Sequence, residues 1–74
     1  MKVTLESTDK LVTIDGLPAR IWQGTTAQGI ACHAYITRIA VASSLDAAEF
    51  DRELQTTAPL RPELDAAIPA RLVL

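Results

Sequence analysis

Five residues of the kinds used for catalysis or recognition lie close together in the middle of the chain. Arginine presents a fork of donors suited to phosphate or carboxylate, and Trp and Tyr present flat apolar area with a polar end. These residue types are enriched at binding hot spots, so we expect a recognition surface or a pocket for a small anionic ligand. The candidate binding residues are Arg20, Trp22, His33, Tyr35 and Arg38.

Catalysis by the same stretch is disfavoured by its spacing. His33 is the only histidine and Cys32 the only cysteine. As neighbours on a predicted strand they point to opposite faces and should not form a nucleophile and base pair. We therefore predict no enzyme activity, no catalytic residues, no cofactor and no metal site. Cys32 is interpreted as a small buried hydrophobe and His33 as a surface or interface residue.

The elements that hold these side chains are predicted to be β-hairpins. Residues 2–6 alternate between polar and apolar, and residues 10–14 form a second β-favouring run after a polar break. Asp15-Gly16 predicts a type I′ turn, because Asp and Gly tolerate the positive φ that this turn requires. Residues 17–23 should return antiparallel, with Pro18 at the start of the strand or on an edge because it cannot donate to a ladder.

A loop bracketed by glycines at residues 24–29 predicts a second hairpin, whose next strand runs from residue 30 to 42. Alternation puts Arg20 and Trp22 opposite Ala19 and Ile21. We assign Ile30, Cys32, Ala34 and Ile36 to the face of Ile21, which leaves His33 and Tyr35 on the face of Trp22. The alternative is that the helix covers the Trp22 face and makes Trp22 and Tyr35 part of the core. This assignment brings Arg, Trp, His and Tyr side chains together on one face of the sheet. We predict from these residue types that this face is the binding surface.

Strict alternation fails near Arg38, where it would put an arginine on the apolar face. A β-bulge near Thr37 or Arg38 would turn this side chain outward, and bulges often lie beside functional sites. The alternative is that the end of this strand is covered on both faces, for instance by a partner chain.

A helix is predicted from Asp46 to about Gln55. Asp46 and Glu49 have the spacing of a capping box, and Leu45 and Phe50 the spacing of a hydrophobic staple. The helix should pack on the sheet through residues at helical spacing, namely Ala47, Phe50 and Leu54. Pro62 fits the first position of one or two short helical turns, and residues 71–74 are predicted to form a final strand.

These elements predict one α+β domain spanning residues 1–74, with a small antiparallel sheet of three to five strands in a meander of hairpins and one main helix packed on one face. A chain of 74 residues buries only about 60% of its unfolded surface, so additional stabilisation is expected. A single cysteine excludes an internal disulfide. We therefore expect a homodimer or a higher oligomer.

Charge and hydropathy exclude several classes of function. The formal net charge of −2 provides no field that would attract nucleic acid or an anionic membrane. The residues after Met1 do not resemble a signal peptide, and no run approaches the ~20 apolar residues of a membrane span. We expect a soluble protein in the cytoplasm, with no direct nucleic-acid partner.

Several segments of the chain carry a resemblance to known proteins, namely Ala19 to Thr26, Gly29, Thr37 to Val41, Glu49 to Leu54 and the closing Arg71 to Leu74. In these segments the chain resembles a group of short uncharacterised proteins encoded by bacterial phages and prophages. The group carries no agreed activity. The resemblance implies a setting, namely a small accessory phage protein inside a bacterial host cell, where inhibitors of host defence are common among chains of this size.

We therefore predict a non-enzymatic binding protein that inhibits or sequesters a bacterial host-defence target through the face around Arg20, Trp22, His33 and Tyr35. One alternative is an oligomeric sponge for a nucleotide-like anion, with aromatic stacking and an arginine on phosphate. The other is a minor structural or assembly protein whose sheet edge joins a larger particle.

Overall fold

Residues 1–69 are described by the computed structural model and contain a three-stranded antiparallel sheet with strand order β1-β2-β3. The α+β class and the antiparallel sheet are thus confirmed, while the predicted strand at residues 71–74 lies outside the described residues. The strands are β1 (Val3–Ile14), β2 (Leu17–Thr26) and β3 (Ala31–Ile36), and they are followed by a 3₁₀ turn (Ser44–Asp46) and the helices α1 (Ala47–Leu54) and α2 (Pro62–Asp65).

The turn between β1 and β2 has the conformation predicted for it. Asp15 has φ of 50° and Gly16 has φ of 80°, so both central residues adopt the positive φ of a type I′ turn. Pro18 pairs with Thr13 near the start of β2. The ladder to β3 begins only at Arg20, so β2 is an edge at Pro18, and the missing N–H costs no hydrogen bond.

The two predicted runs at residues 2–6 and 10–14 form one strand, β1, and the predicted polar break between them is an irregularity within it. The pairing with β2 shifts register between Ser7 and Leu11. Thr8 is fully buried there, and its Oγ1 donates a hydrogen bond to the Ile21 carbonyl at 2.6 Å. At the edge of β1 that faces away from β2, Ala58 forms an isolated parallel bridge with Thr8. The displaced residues therefore hold β1 to β2 and to the later part of the chain.

β3 ends at Ile36, so the predicted strand to residue 42 and the predicted bulge near Thr37 or Arg38 are wrong. Arg20 pairs with Ile36, and the same register would next bring Arg38 opposite Pro18. Proline has no N–H to donate to that pair, so the ladder stops. Alternation fails at Arg38 because the residue lies outside the sheet.

The start of α1 differs from the predicted capping box. Ser43 caps the preceding 3₁₀ turn by accepting a hydrogen bond from the Leu45 N–H, whereas Asp46 makes no side-chain cap. Glu49 instead forms an exposed ion pair with Arg52. Leu45 is 94% exposed, so the predicted staple to Phe50 is also wrong.

The core lies on one face of the sheet and is covered by the segment that contains α2. Val12, Ala19 and Ile21 form a buried cluster with Ile68. Pro62 occupies the first turn of α2 as predicted. No residue of α1 is buried, so the predicted packing of this helix through Ala47, Phe50 and Leu54 is not confirmed.

Candidate functional site

The register between β2 and β3 separates the predicted binding residues into two groups. Tyr35 pairs with Ile21 and His33 pairs with Gln23. Residues paired directly across an antiparallel ladder point to the same face, so His33 and Tyr35 lie on the face of Ile21. The prediction that they share a face with Arg20 and Trp22 is wrong.

The physical reason is the closure of the second hairpin. Alternation fixes which residues share a face within one strand, but the turn fixes the phase between two strands. Thr26 donates its N–H to the Ile30 carbonyl at 3.0 Å, and Gly29 has φ of 84° within the intervening loop. This closure places Trp22 opposite Ala34.

We name the two sides of the sheet by the residues that they carry. The core face is the side of Ile21 and the outer face is the side of Trp22. The core face carries Glu6, Val12, Ala19, Ile21, Gln23, Ala31, His33 and Tyr35, and the outer face carries Leu5, Ser7, Leu11, Arg20, Trp22, Cys32, Ala34 and Ile36.

His33 and Tyr35 form a pair on the core face. The His33 Nε2 and the Tyr35 hydroxyl lie 2.9 Å apart, and the rings meet edge to face with centroids 5.1 Å apart. Tyr35 also packs against the buried cluster. Both side chains are half-buried. Tyr35 therefore contacts the core through its ring and His33 through its hydroxyl.

Gln23 is a key residue that the sequence analysis missed. It is 2% exposed, and its Nε2 donates to Glu6 Oε1 at 3.1 Å and to the Pro59 carbonyl at 3.0 Å. Its Oε1 accepts from the Arg61 N–H at 2.9 Å. The available signal was its place in alternation with Ala19 and Ile21. These bonds give Gln23 a structural role, because they fasten the covering segment, residues 59–68 with α2, to the sheet.

A cleft of about 500 Å³ lies beside Gln23 and is lined by Arg61 and Glu6, among others. The Arg61 Nη2 donates to the Gly24 carbonyl at 3.2 Å, while its buried Nε has no hydrogen-bond partner among the described residues. Gly24 is required here, since a Cβ would lie 1.7 Å from the Thr4 carbonyl oxygen. The cleft therefore combines one guanidinium with one carboxylate.

The outer face holds Arg20 and Trp22. Arg20 donates from Nη1 to the Thr8 carbonyl at 2.7 Å, across the irregular part of β1. Trp22 is half-buried and lines a cleft of about 460 Å³ between the sheet and the end of α1. Glu53 lines the same cleft, and so does Glu6, but the Glu6 carboxylate lies on the other face of the sheet, where Oε1 accepts from Gln23. An indole beside the Glu53 carboxylate suits a basic or apolar side chain.

Arg38 is not part of either group. It lies beyond the end of β3 and is exposed. The structure therefore brings together Arg20 and Trp22, separately brings together His33 and Tyr35, and leaves Arg38 outside both pairs.

Within residues 1–69, no helix has the length and apolar character needed to cross a membrane, and no three side chains from His, Cys, Asp and Glu are grouped to hold a metal ion.

Comparison with known proteins gives no relative for this chain. No family model matches the sequence, and no curated protein or solved structure is significantly similar to it.

Proposed function

We propose that the protein is a non-enzymatic binding protein that inhibits or sequesters a bacterial protein, in the host-defence setting implied by the resemblance to phage proteins. Its contact surface in this proposal is the outer face around Trp22. The observation that carries the proposal is the composition of that face, where Trp22 lies between half-buried Ala34 and buried Ser7 in an otherwise largely apolar surface.

An outward sheet face is ordinarily polar when it only meets water. Here Leu11 on this face is 43% exposed, and Leu5, Trp22 and Ile36 are half-buried. Exposed apolar patches with an aromatic centre are typical of protein interaction sites. This pattern supports protein recognition over a role in folding alone.

The cleft beside Trp22 suggests the chemistry of the target. Glu53 lines it together with the indole, so a lysine or arginine of the target can place its charge beside this carboxylate and its stem against the ring. We therefore propose a target surface that presents a basic side chain surrounded by apolar residues.

A binding role is also supported over an enzymatic one by the arrangement on β3. The nucleophile candidate Cys32 lies on the outer face, and the base candidate His33 lies on the core face next to Tyr35. A nucleophile and its base must be within hydrogen-bond reach of each other.

The alternative function, a sponge for a small anionic ligand, is favoured by one observation. The buried Nε of Arg61 lacks a hydrogen-bond partner among the described residues and lies at the cleft of about 500 Å³, and Glu63 Oε1 is 3.8 Å from it. Glu6 lines the same cleft, and its carboxylate would repel an anion there. The charge balance therefore favours the protein target over the anion.

The test compares capture of bacterial proteins by the parent protein and by Trp22→Ala and Glu53→Lys variants that remain folded by circular dichroism. Because each change removes part of the proposed contact, we expect the captured protein to be lost or its affinity to fall by at least about tenfold. Quantitative mass spectrometry of the captured proteins measures this. Asp51→Lys is the matched control. Asp51 is exposed on α1, and this substitution changes the net charge by the same amount as Glu53→Lys.

Unchanged capture by both cleft variants would contradict the proposed surface. Loss of capture with Asp51→Lys as well would show that binding depends on net charge rather than on the cleft. Release of a nucleotide-like anion from the purified protein, lost in Arg61→Ala, would support the alternative function.

A further inference from the structure

The edge of β3 that faces away from β2 has the features of an interface. Among residues 1–69, β3 forms its ladder with β2 alone and is the last strand of the sheet. The segment Ala31–Ile36 contains no proline and no Asp, Glu, Lys or Arg. A strand edge without such protection is a template for another strand.

The directions of the backbone groups on β3 follow from the closing hydrogen bond of the hairpin. Thr26 donates its N–H to the Ile30 carbonyl, which makes Thr26 and Ile30 a hydrogen-bonded pair of the ladder. Such pairs alternate with non-hydrogen-bonded ones along an antiparallel ladder. The amide groups of Ala31, His33 and Tyr35 therefore point away from β2, toward this edge.

We propose that two copies of this chain pair antiparallel through β3, about a two-fold axis that is perpendicular to the sheet and passes midway between the two His33 residues. This axis pairs His33 with His33 of the other copy and Ala31 with Tyr35 of the other copy. Each outward N–H then meets an outward carbonyl. Because the axis is perpendicular to the sheet, the core faces and the outer faces of the two copies remain on their own sides.

The side chains that this register brings together are complementary. On the outer face Ile30, which is 64% exposed, lies opposite Ile36 of the other copy, and Cys32 lies opposite Ala34. On the core face the small Ala31 lies opposite the large Tyr35. Apolar cross-strand pairs stabilise a sheet, whereas like charges directly opposite destabilise it. Within residues 30–36, this register places no Asp, Glu, Lys or Arg of one copy opposite a residue of the other.

A second copy fits this edge better than a strand of fixed charge. Complementary charges across an interface help to select a different protein as the partner, and β3 carries no Asp, Glu, Lys or Arg. Self-pairing needs none, since the same surface serves both sides of a two-fold interface. The dimer would be a continuous six-stranded sheet with both Trp22 side chains on one side, and it does not depend on the proposed target.

The experiment uses cysteine cross-linking in a Cys32→Ala parent. In this background His33→Cys places the two new thiols at the axis, where directly paired Cα atoms lie about 5.5 Å apart, within the range of a disulfide. Ala31→Cys is the matched control. Its two copies are separated by four residue positions along the strand direction, about 14 Å, which is too far for a disulfide.

We expect the parent to sediment at twice the chain mass of 8.0 kDa. We expect mild oxidation to cross-link His33→Cys at least about tenfold faster than Ala31→Cys. In the unmodified protein, the amide protons of Ala31, His33 and Tyr35 should exchange slowly when concentrated and faster on dilution, which tests the interface without any substitution.

A monomeric parent, with exchange at these three amides independent of concentration, would overturn the proposal. If deletion of residues 70–74 then produced a dimer, the edge would be assigned to the chain's own final residues. A dimer in which Ala31→Cys cross-links as fast as His33→Cys would overturn the register. Co-purification of a monomer with phage particles would assign the edge to another protein.

Discussion

The two faces of the sheet differ in how they use apolar residues. On the core face, Val12 and Ile21 are fully buried beneath the segment that carries Leu64 and Ile68. On the outer face, Trp22 and Ile36 are only half-buried, although their residue types are as apolar. The comparison indicates that the fold is stabilised from one side, which leaves the other available for a partner.

The strongest test of this difference is a pair of substitutions at adjacent positions of β2. Ile21→Ala leaves a cavity at a fully buried position, and it should lower the free energy of unfolding by about 2–5 kcal/mol. Trp22→Ala removes a larger side chain from the half-exposed outer face and should cost less than half as much. Urea unfolding at one fixed protein concentration measures both.

The order of the two effects decides the comparison. A larger loss for Trp22→Ala than for Ile21→Ala would show that the outer face contributes to the core of the folded chain. The proposed contact surface around Trp22 would then lose its main support.

A smaller loss of stability is expected at Gln23, whose buried amide joins the sheet to the segment that covers its core face. Gln23→Leu keeps a similar volume but leaves the Pro59 carbonyl and the Arg61 N–H without this partner. Both bonds are only part-buried, so water can partly replace the lost partner, and the combined loss in the same unfolding measurement should be about 1–3 kcal/mol. Cleavage between α1 and α2 by a protease should also become faster.

Gln28→Leu is the matched control, because Gln28 is exposed in the loop before β3. Its stability should change by no more than about 0.5 kcal/mol. Equal effects of the two substitutions would show that Gln23 does not fasten the covering segment.

Local sequence signals predicted much of the sheet but not the relation between its strands. Asp15-Gly16 and Pro18 specify their own backbone conformation, so the first hairpin followed from residue type alone. The phase between β2 and β3 depends on the Thr26–Ile30 closure. One residue of difference there moves His33 and Tyr35 to the other face.

The covering of the core was also beyond local reasoning. The segment at 46–54 has the amphipathic spacing of a packing helix, yet α1 buries no residue. The core is covered instead by Leu60 and Ile68. Gln23 and the backbone of residues 59–61 hold that segment in place, and such contacts between distant residues leave no periodic signal in the sequence.

The smallest expected effect separates the two roles of Tyr35, as a core residue and as the hydrogen-bond partner of His33. Tyr35→Phe keeps the ring against the buried cluster and removes only the bond of 2.9 Å to Nε2. The net loss should be about 0.5–1.5 kcal/mol, measured by urea unfolding, and it should vanish when His33 is already replaced by Ala. A loss that persists without His33 would show that the hydroxyl has another partner. A loss that vanishes would mean that the ring belongs to the core face while the hydroxyl serves to orient His33 at the edge of the sheet.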